Sequence, residues 1–277
     1  MTAARIDRQF AKLGAARRAG LVAYVMAGDP DLAASLKIMQ AMVAAGADMI
    51  ELGLPFSDPM ADGPIIQRGA LRALASGTTT RGVLELVAQF RESDAETPIV
   101  LMGYLNPVLT LGSRTFARLA AAAGADGVIM VDCPPEEAEA LTDDLEAEGL
   151  ALIRLATPTT DSERLTVVAR RTRGFVYYVA VAGVTGDKAA DAASVAPAVA
   201  RVRAASGLPV AVGFGVREAA QAAAIARVAD AVVVGSALVG AVGEAAGAGR
   251  SPADAAALVV SALAQAVRSA RQEPYLG

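Results

Sequence analysis

Eight short apolar segments, separated by helical patterns, predict an α/β fold, a TIM (β/α)8 barrel over residues 1–277. The apolar segments are residues 21–27, 47–53, 98–105, 126–132, 150–156, 174–181, 208–214 and 230–235. The helical patterns are residues 31–45, 65–76, 81–93, 113–123, 136–148, 161–171, 191–205, 217–228 and 252–271. Strands that alternate with helices pair in parallel, and eight such units in about 250 residues is the size of this barrel. The alternative is a doubly wound open sheet, but the pattern is continuous, so we predict one barrel domain.

Signals at the ends of helices support this order of elements. Residues 1–19 have the apolar spacing of an amphipathic helix, which adds an N-terminal helix to the barrel. Asp31 is placed to cap the helix after the first strand. Three similar sequences each end a helix and begin a strand, and Gly46 and Gly124 in two of them suit the C-cap position. These three sequences are residues 45–48, 123–126 and 228–230.

Composition excludes several classes of protein. The chain is 54% hydrophobic, which is enough for a large core, and its net charge of −4 argues against a nucleic-acid binder. The only cysteine, Cys133, rules out an internal disulfide and fits a reducing compartment. The N-terminus lacks the apolar core of a signal peptide, and the longest membrane-like stretch, 231–243, is too short to span a bilayer. We therefore predict a cytoplasmic protein with no membrane segment.

The absence of histidine limits the chemistry further. With no His in the chain, metal catalysis through imidazole ligands and any Ser-His or Cys-His pair are excluded, and we predict no metal site. A lysine-dependent aldolase needs a Schiff-base lysine on an inner strand. The lysines are Lys12, Lys37 and Lys188, and none falls on a predicted strand. Catalysis must therefore use carboxylates, hydroxyls, backbone amides or arginine.

A carboxylate near the end of the second strand is the main candidate for catalysis. Glu51 lies in an apolar run, where an unpaired charge is costly, and the C-terminal ends of barrel strands face the active site. Desolvation there would raise its pKa toward the range useful for acid–base chemistry. The alternative is an ion pair with an arginine. Asp58 and Asp62, in the loop that follows, are equally good second carboxylates, and capping of the helix before Ile65 competes for both.

Glycines after the last three strands predict a phosphate site. Residues 183–186, 213–215 and 235–236 would converge on the C-terminal face, where a short helix beginning near Ala237 would direct its positive end. The alternative is that these glycines only make tight turns. The long loops of the second and sixth units are candidate lids.

Other strand ends carry aromatic and acidic residues. Aromatic side chains at four strand ends would line a flat apolar pocket, although each alone is as well explained by the core. These are Tyr24, Tyr104, Tyr177 and Phe214. Asp132 ends the fourth strand and is either a further site carboxylate or the residue that holds the following turn. Cys133 is interpreted as a small buried hydrophobic residue.

The segment Ile50-Glu51-Leu52-Gly53-Leu54-Pro55-Phe56-Ser57-Asp58-Pro59-Met60-Ala61-Asp62-Gly63-Pro64-Ile65-Ile66-Gln67 closely resembles the diagnostic motif of the tryptophan synthase alpha chain family. The resemblance continues, in the right order, through residues 28–30, 104–107, 183–186, 213–215 and 235–236. It implies a TIM barrel that cleaves indole-3-glycerol phosphate to indole and glyceraldehyde 3-phosphate by a retro-aldol reaction.

The resemblance also implies roles for individual residues. Glu51 would be the general acid–base, Asp62 rather than Asp58 the second carboxylate, and Tyr177 a supporting catalytic residue. The phosphate would bind at Gly186, Gly215, Gly235 and Ser236. The indole pocket would be lined by Tyr24, Met102, Tyr104, Ile129 and Phe214.

A partner is implied as well. In this family the loop 54–64 faces a pyridoxal-phosphate-dependent beta chain in an α2β2 assembly, and indole passes to that partner, so no cofactor is expected in this chain. The sixth-unit loop, 182–190, would be the lid. Met26 and Val181 depart from the residues of many relatives. Two other readings remain, a non-catalytic allosteric partner of the beta chain and a stand-alone indole-releasing lyase.

Overall fold

The computed structural model describes residues 4–180, 192–213 and 215–271, and the described residues form one parallel sheet of nine strands with twelve helices. The strands are β1 Gly20–Met26, β2 Met49–Gly53, β3 Ile99–Gly103, β4 Gly127–Met130, β5 Ala151–Leu152, β6 Leu155–Ala156, β7 Val176–Val179, β8 Val210–Gly213 and β9 Ala231–Val234. The helices are α1 Ala4–Ala15, α2 Leu32–Ala45, α3 Pro64–Ala75, α4 Thr80–Arg91, α5 Leu105–Leu111, α6 Ser113–Ala123, α7 Glu139–Ala147, α8 Ser162–Ala169, α9 Ala192–Ser206, α10 Ala219–Ala226, α11 Ser236–Gly247 and α12 Pro252–Ser269.

The sheet closes into a barrel through its divided fifth strand. The strand order is β5-β4-β3-β2-β1-β9-β8-β7-β6, so β5 and β6 stand at its two ends. Only Ile153 and Arg154 separate them, and both residues continue the ladders. Ile153 N donates to Val128 O on one side at 2.9 Å, and Tyr177 N donates to Arg154 O on the other at 3.1 Å. The two short pieces are one barrel strand, which confirms the predicted (β/α)8 fold.

Each predicted strand overlaps an observed one, but two helices differ from prediction. α5 was not predicted, because its apolar residues continue those of β3 and Pro107 suggests a turn. Proline is tolerated in the first turn of a helix, where its missing N–H has no intrahelical partner, and Pro107 is the third residue of α5. α11 was expected only as a short helix and runs for 12 residues. None of the helices in the described ranges is long and apolar enough to cross a membrane.

The residues at the ends of the helices have the capping roles that the sequence predicts. Asp31 is the N-cap of α2, and its side chain accepts from Ala34 N at 2.7 Å. Gly46 and Gly124 end α2 and α6 with φ of 111° and 92°, left-handed values that a residue with a Cβ rarely adopts. The predicted N-terminal helix is α1. It covers the N-terminal end of the barrel, where Ile6 is fully buried and the Phe10 ring lies 5.7 Å from that of Phe175.

The three similar sequences noted above make the same contact at the N-terminal rim. Each ends in an aspartate, and each of the three carboxylates accepts a hydrogen bond from the backbone N–H of the first or second residue of the preceding strand. The pairs are Asp48 with Leu21, Asp126 with Ile99 and Asp230 with Val210. Arginines complete each contact, since Arg18 binds Asp48, Arg5 and Arg91 bind Asp126, and Arg203 binds Asp230. The active sites of such barrels lie at the opposite, C-terminal face, so these contacts contribute to stability rather than to catalysis.

Candidate active site

Glu51 lies inside the barrel with an unsatisfied oxygen. Side chains two apart on a strand share a face, and Met49 belongs to the interior cluster, so Glu51 faces the interior beside Tyr24 of β1. Glu51 is 1% exposed, and its Oε2 has no hydrogen-bond partner among the residues that the structure describes. No ion pair to Glu51 occurs among these residues, so the arginine alternative is not supported. Burial, and next the charge of Asp62, raise the pKa of Glu51 to about 8.

Asp62 returns to this carboxylate from the loop after β2. Tyr104 Oη donates to Asp62 Oδ2 at 3.1 Å and accepts from Ala61 N at 3.0 Å, which fixes the end of the loop. Gln67 Nε2 donates to Asp62 O at 2.9 Å. Burial raises the pKa of Asp62 to about 6, although the hydrogen bond from Tyr104 lowers it. At neutral pH the pair therefore holds a proton donor, Glu51, beside an ionised acceptor, Asp62.

The structure separates the two loop aspartates, which sequence alone left equal. Asp58 is exposed and accepts a hydrogen bond from the neighbouring Ser57 hydroxyl. Of the two, only Asp62 contributes to the raised pKa of Glu51. Neither aspartate caps the next helix, because the N-cap of α3 is Gly63 and carries no side-chain hydrogen bond. The capping interpretation is therefore wrong for both.

Two tyrosines flank the carboxylates, and each crosses a glycine on a neighbouring strand. A methyl group at Gly213 would collide with the Tyr177 hydroxyl, and one at Gly53 would collide with the Tyr24 hydroxyl. Burial, followed by the charges of Glu51 and Asp62, raises the pKa of Tyr177 far above its usual range, and Tyr24 behaves similarly. Both phenols therefore stay neutral, so each is able to donate a hydrogen bond but is not a base at neutral pH.

The other expected pocket residues lie at different depths. Met102 and Tyr104 lie at the end of β3, where the Tyr104 ring is 5.3 Å from that of Phe56. Ile129 is fully buried in the interior cluster, and it is the register partner of Met102 on the neighbouring strand β4. Met26 is 3% exposed in an apolar cluster with Tyr24. Phe214, Gly186, Val181 and the expected lid 182–190 lie outside the described residues.

The expected phosphate residues lie after β8 and β9. Gly215 has φ of 65°, and within the described ranges no neighbouring atom lies within 4 Å of where a side chain would begin, which leaves space for a ligand beside its backbone. Gly235 is the N-cap of α11, and Ser236 is its first residue. The first N–H groups of a helix lack intrahelical partners and attract anions. This end of α11 can hold a phosphate without a lysine or arginine.

Asp132 and Cys133 follow β4. Burial and the charge of Asp62 raise the pKa of Tyr104, and the charge of Asp132 adds to this shift. Asp132 is exposed and accepts from Leu105 N at 2.8 Å, so it holds the start of α5 rather than the turn that follows it. Cys133 packs partly buried against the outer core, and burial raises the pKa of its thiol. In the described ranges no group of three His, Cys, Asp or Glu side chains could hold a metal ion.

Sequence reasoning missed one buried ion pair near this face. Asp29, in the turn after β1, is 2% exposed and binds Arg72 of α3. The sequence around Asp29 indicated only a turn, because Arg72 lies 43 positions away in the chain.

Fold and site together define a (β/α)8 barrel in which two carboxylates of separated pKa, a pair suited to acid–base chemistry, lie at the C-terminal face. The family model described as tryptophan synthase alpha chain matches residues 10–268. Tryptophan synthase alpha chains of Caulobacter sp. (strain K31) and Phenylobacterium zucineum are 67% and 62% identical, and each alignment covers at least 98% of both chains.

Solved structures agree with these relatives. The alpha subunit from Legionella pneumophila str. Paris has a TM-score of 0.88 at 42% identity, covering 95% of this chain and 98% of that one. A Mycobacterium tuberculosis tryptophan synthase chain has a TM-score of 0.86 at 41% identity, with the same coverage. The chain belongs to the tryptophan synthase alpha chain family, which confirms the resemblance seen in the sequence. This family of lyase subunits cleaves indole-3-glycerol phosphate in tryptophan biosynthesis and partners a beta chain.

Proposed function

We propose that Glu51 and Asp62 carry out the retro-aldol cleavage of indole-3-glycerol phosphate in this chain. The observation that supports this most directly is the buried, unpartnered Oε2 of Glu51, together with a pKa of about 8. A carboxyl group that is protonated at neutral pH and directed into a barrel mouth is a proton donor. Asp62, with a pKa of about 6, remains ionised beside it.

The reaction needs one proton to move from the side-chain hydroxyl of the substrate to indole C3. Glu51 protonates C3, which places a positive charge on the ring. Asp62 accepts a hydrogen bond from N1–H and stabilises that charge. Glu51, now a carboxylate, takes the hydroxyl proton while the bond between C3 and the side chain breaks. The products are indole and an aldehyde, and Glu51 ends in its starting state. Tyr177 supports the two carboxylates as a neutral hydrogen-bond donor.

The remaining residues bind the two ends of the substrate. Backbone groups hold the phosphate, and the positive end of α11 supports this assignment. The backbone groups that hold the phosphate belong to Gly186, Gly215, Gly235 and Ser236. The indole ring lies in the apolar pocket lined by Tyr24, Met102, Tyr104, Ile129 and Phe214. The loop 182–190 closes over the bound substrate.

The assembly is proposed to be an α2β2 heterotetramer in the cytoplasm, built from single-domain alpha chains of residues 1–277. Two apolar side chains at the C-terminal face support a docking surface there, since Met60 is 81% and Leu109 59% exposed. Pyridoxal phosphate is expected only in the beta chain, which receives indole. The alpha chain itself needs no cofactor or metal for the proton transfers above.

Indole release by purified variants tests this proposal. Wild type should release indole slowly and accelerate severalfold or more with its beta chain, whereas Glu51→Gln should be inactive in both conditions. Asp62→Asn should lose at least about a hundredfold in kcat, the cost of removing an aligned charge-stabilising group. Asp58→Asn is the matched control in the same loop and should retain wild-type kcat without the beta chain.

Each result has a defined meaning. If the wild type releases no indole with or without the beta chain, the barrel is non-catalytic. Equal indole release in both conditions would instead favour a stand-alone lyase. Full activity of Glu51→Gln would reject the mechanism, and a loss in Asp58→Asn equal to that in Asp62→Asn would reject the choice between the aspartates.

A further inference from the structure

The ion pair between Asp29 and Arg72 joins three elements at the C-terminal face. Arg72 Nε and Nη2 donate to the two oxygens of Asp29, both at 2.7 Å, which is a bidentate arrangement with a fixed geometry. The Arg72 guanidinium also lies against α11, because a methyl group at Gly243 would be 2.5 Å from Nη2. The pair therefore touches the turn after β1, the last turn of α3 and the middle of α11.

The Asp29 side of this pair is anchored to the barrel. Gly28 N donates to Ser35 Oγ of α2 at 2.9 Å. Asp29 N donates to Met26 O at the end of β1 at 3.3 Å. These bonds hold the turn on both sides, so the carboxylate is a fixed point from which α3 can be positioned.

The other end of each helix begins at the active site. α3 starts two residues after Asp62, and Gln67 in its first turns holds the Asp62 carbonyl. From Pro64 to Arg72 the helix spans about 12 Å, at about 1.5 Å per residue. α11 starts at Ser236, in the expected phosphate site. A shift of either helix along its axis would therefore move a group that binds substrate.

Apolar packing alone does not fix such a shift. α3 rests on the barrel through Ile66, Ala70 and Ala73, which contact Tyr24, Met26 and Val239. Such contacts are non-directional, and two of the three α3 residues are alanines that interlock little. Two directional contacts among the described residues join α3 to the turn after β1. Ser76 Oγ, at the C-cap of α3, donates a single hydrogen bond to Gly28 O, whereas the bidentate pair makes two charge-assisted bonds, which are stronger.

We propose that Asp29 and Arg72 are positioning residues that set α3, and through it Asp62, relative to Glu51. The proposal rests on the catalytic role proposed for Asp62. It predicts that loosening the pair lowers kcat more than it changes the KM for indole-3-glycerol phosphate, because a displacement of about 1 Å at a catalytic group can cost up to a hundredfold.

Two variants loosen the pair in different ways. Arg72→Lys keeps the charge but loses the planar fork, and should lower kcat about tenfold with less than a threefold change in KM. Gly243→Ala pushes the guanidinium aside while improving helix propensity, so it should lower kcat without lowering Tm. The control is Arg18→Lys at the N-terminal rim, where Arg18 binds Asp48 at 2.7 and 2.8 Å in the same bidentate manner. This control should lower Tm and leave kcat unchanged.

A double-mutant cycle shows whether Arg72 acts through Asp62. In an Asp62→Asn background the tenfold effect of Arg72→Lys on residual indole release should disappear, whereas any effect of Arg18→Lys should persist. Wild-type kcat in both Arg72→Lys and Gly243→Ala would overturn the proposal, as would an undiminished Arg72→Lys effect in the Asp62→Asn background. An active Asp62→Asn would instead reject the role of Asp62 itself, which separates the two failures.

Discussion

Replacing Glu51 by Gln should make the folded protein more resistant to alkaline pH. In an unfolded chain a glutamate has a pKa near 4.5, and burial in the barrel raises that of Glu51 to about 8. As pH rises from about 4.5, the unfolded state releases this proton first, so the free energy of unfolding falls until Glu51 also ionises in the folded state. The full difference corresponds to roughly 3–5 kcal/mol. Gln carries no charge and removes this dependence.

Urea unfolding at pH 5 and pH 9 measures the effect, with far-UV circular dichroism as the probe because the chain has no tryptophan. The free energy of unfolding of Glu51→Gln minus that of wild type should become more positive between the two pH values by roughly 3–5 kcal/mol. Any fixed cost of the buried Gln amide cancels in this comparison. Glu85→Gln, at an exposed position of α4, is the control and should show no such change. The same pH dependence in Glu51→Gln and wild type would refute the reasoning.

Three further predictions concern the site and the rim. Tyr104→Phe removes the donor to Asp62, so the pKa of Asp62 should rise from about 6 and the acidic limb of kcat/KM for indole release should move to higher pH by roughly one unit. Gly213→Ala should push Tyr177 aside and lower kcat about tenfold while Tm changes little. Asp126→Ala should lower the free energy of unfolding by about 3–5 kcal/mol in urea titrations, because it leaves buried arginine charge and a backbone N–H unpaired.

Each of these has its own contrary result. If the acidic limb does not move in Tyr104→Phe, ionisation of Asp62 does not cause that limb. The same conclusion follows if the limb also moves in the control Tyr178→Phe, on the outer face of β7. Wild-type kcat in Gly213→Ala would show that Tyr177 tolerates displacement. A stable Asp126→Ala would mean that the rim contacts contribute little to folding.

The secondary structure could be predicted where it depends on contacts between residues that are close together in the chain. Asp31 caps α2 through a bond to a residue three positions away, and Gly46 ends it because its φ of 111° excludes most side chains. Apolar runs marked the strands, since both faces of a parallel barrel strand are buried. The break in the fifth strand was not visible, because it lies where the pairing passes from β4, through Ile153, to β7, through Arg154, and these neighbours are distant in the chain.

The candidate catalytic residue was also visible in the sequence, because a carboxylate in an apolar run is anomalous wherever the chain folds. The identity of the second carboxylate was not visible in the sequence. Asp58 and Asp62 occupy one loop without a periodic pattern, and their difference arises from Tyr104, which is 42 positions from Asp62 and binds it. Resemblance to a family selected Asp62, and the hydrogen bond from Tyr104 provides a physical basis for that selection.

The sequence by itself determined the number and order of the strands, the parallel barrel and the placement of Glu51 in its mouth. These depend on apolar periodicity and on residues within one helical turn of each other. Only the tertiary structure decided which loop aspartate approaches Glu51, what the rim aspartates bind and how Arg72 reaches Asp29. Those contacts depend on distances between segments far apart in the chain, which closure of the barrel brings together and which no local pattern encodes.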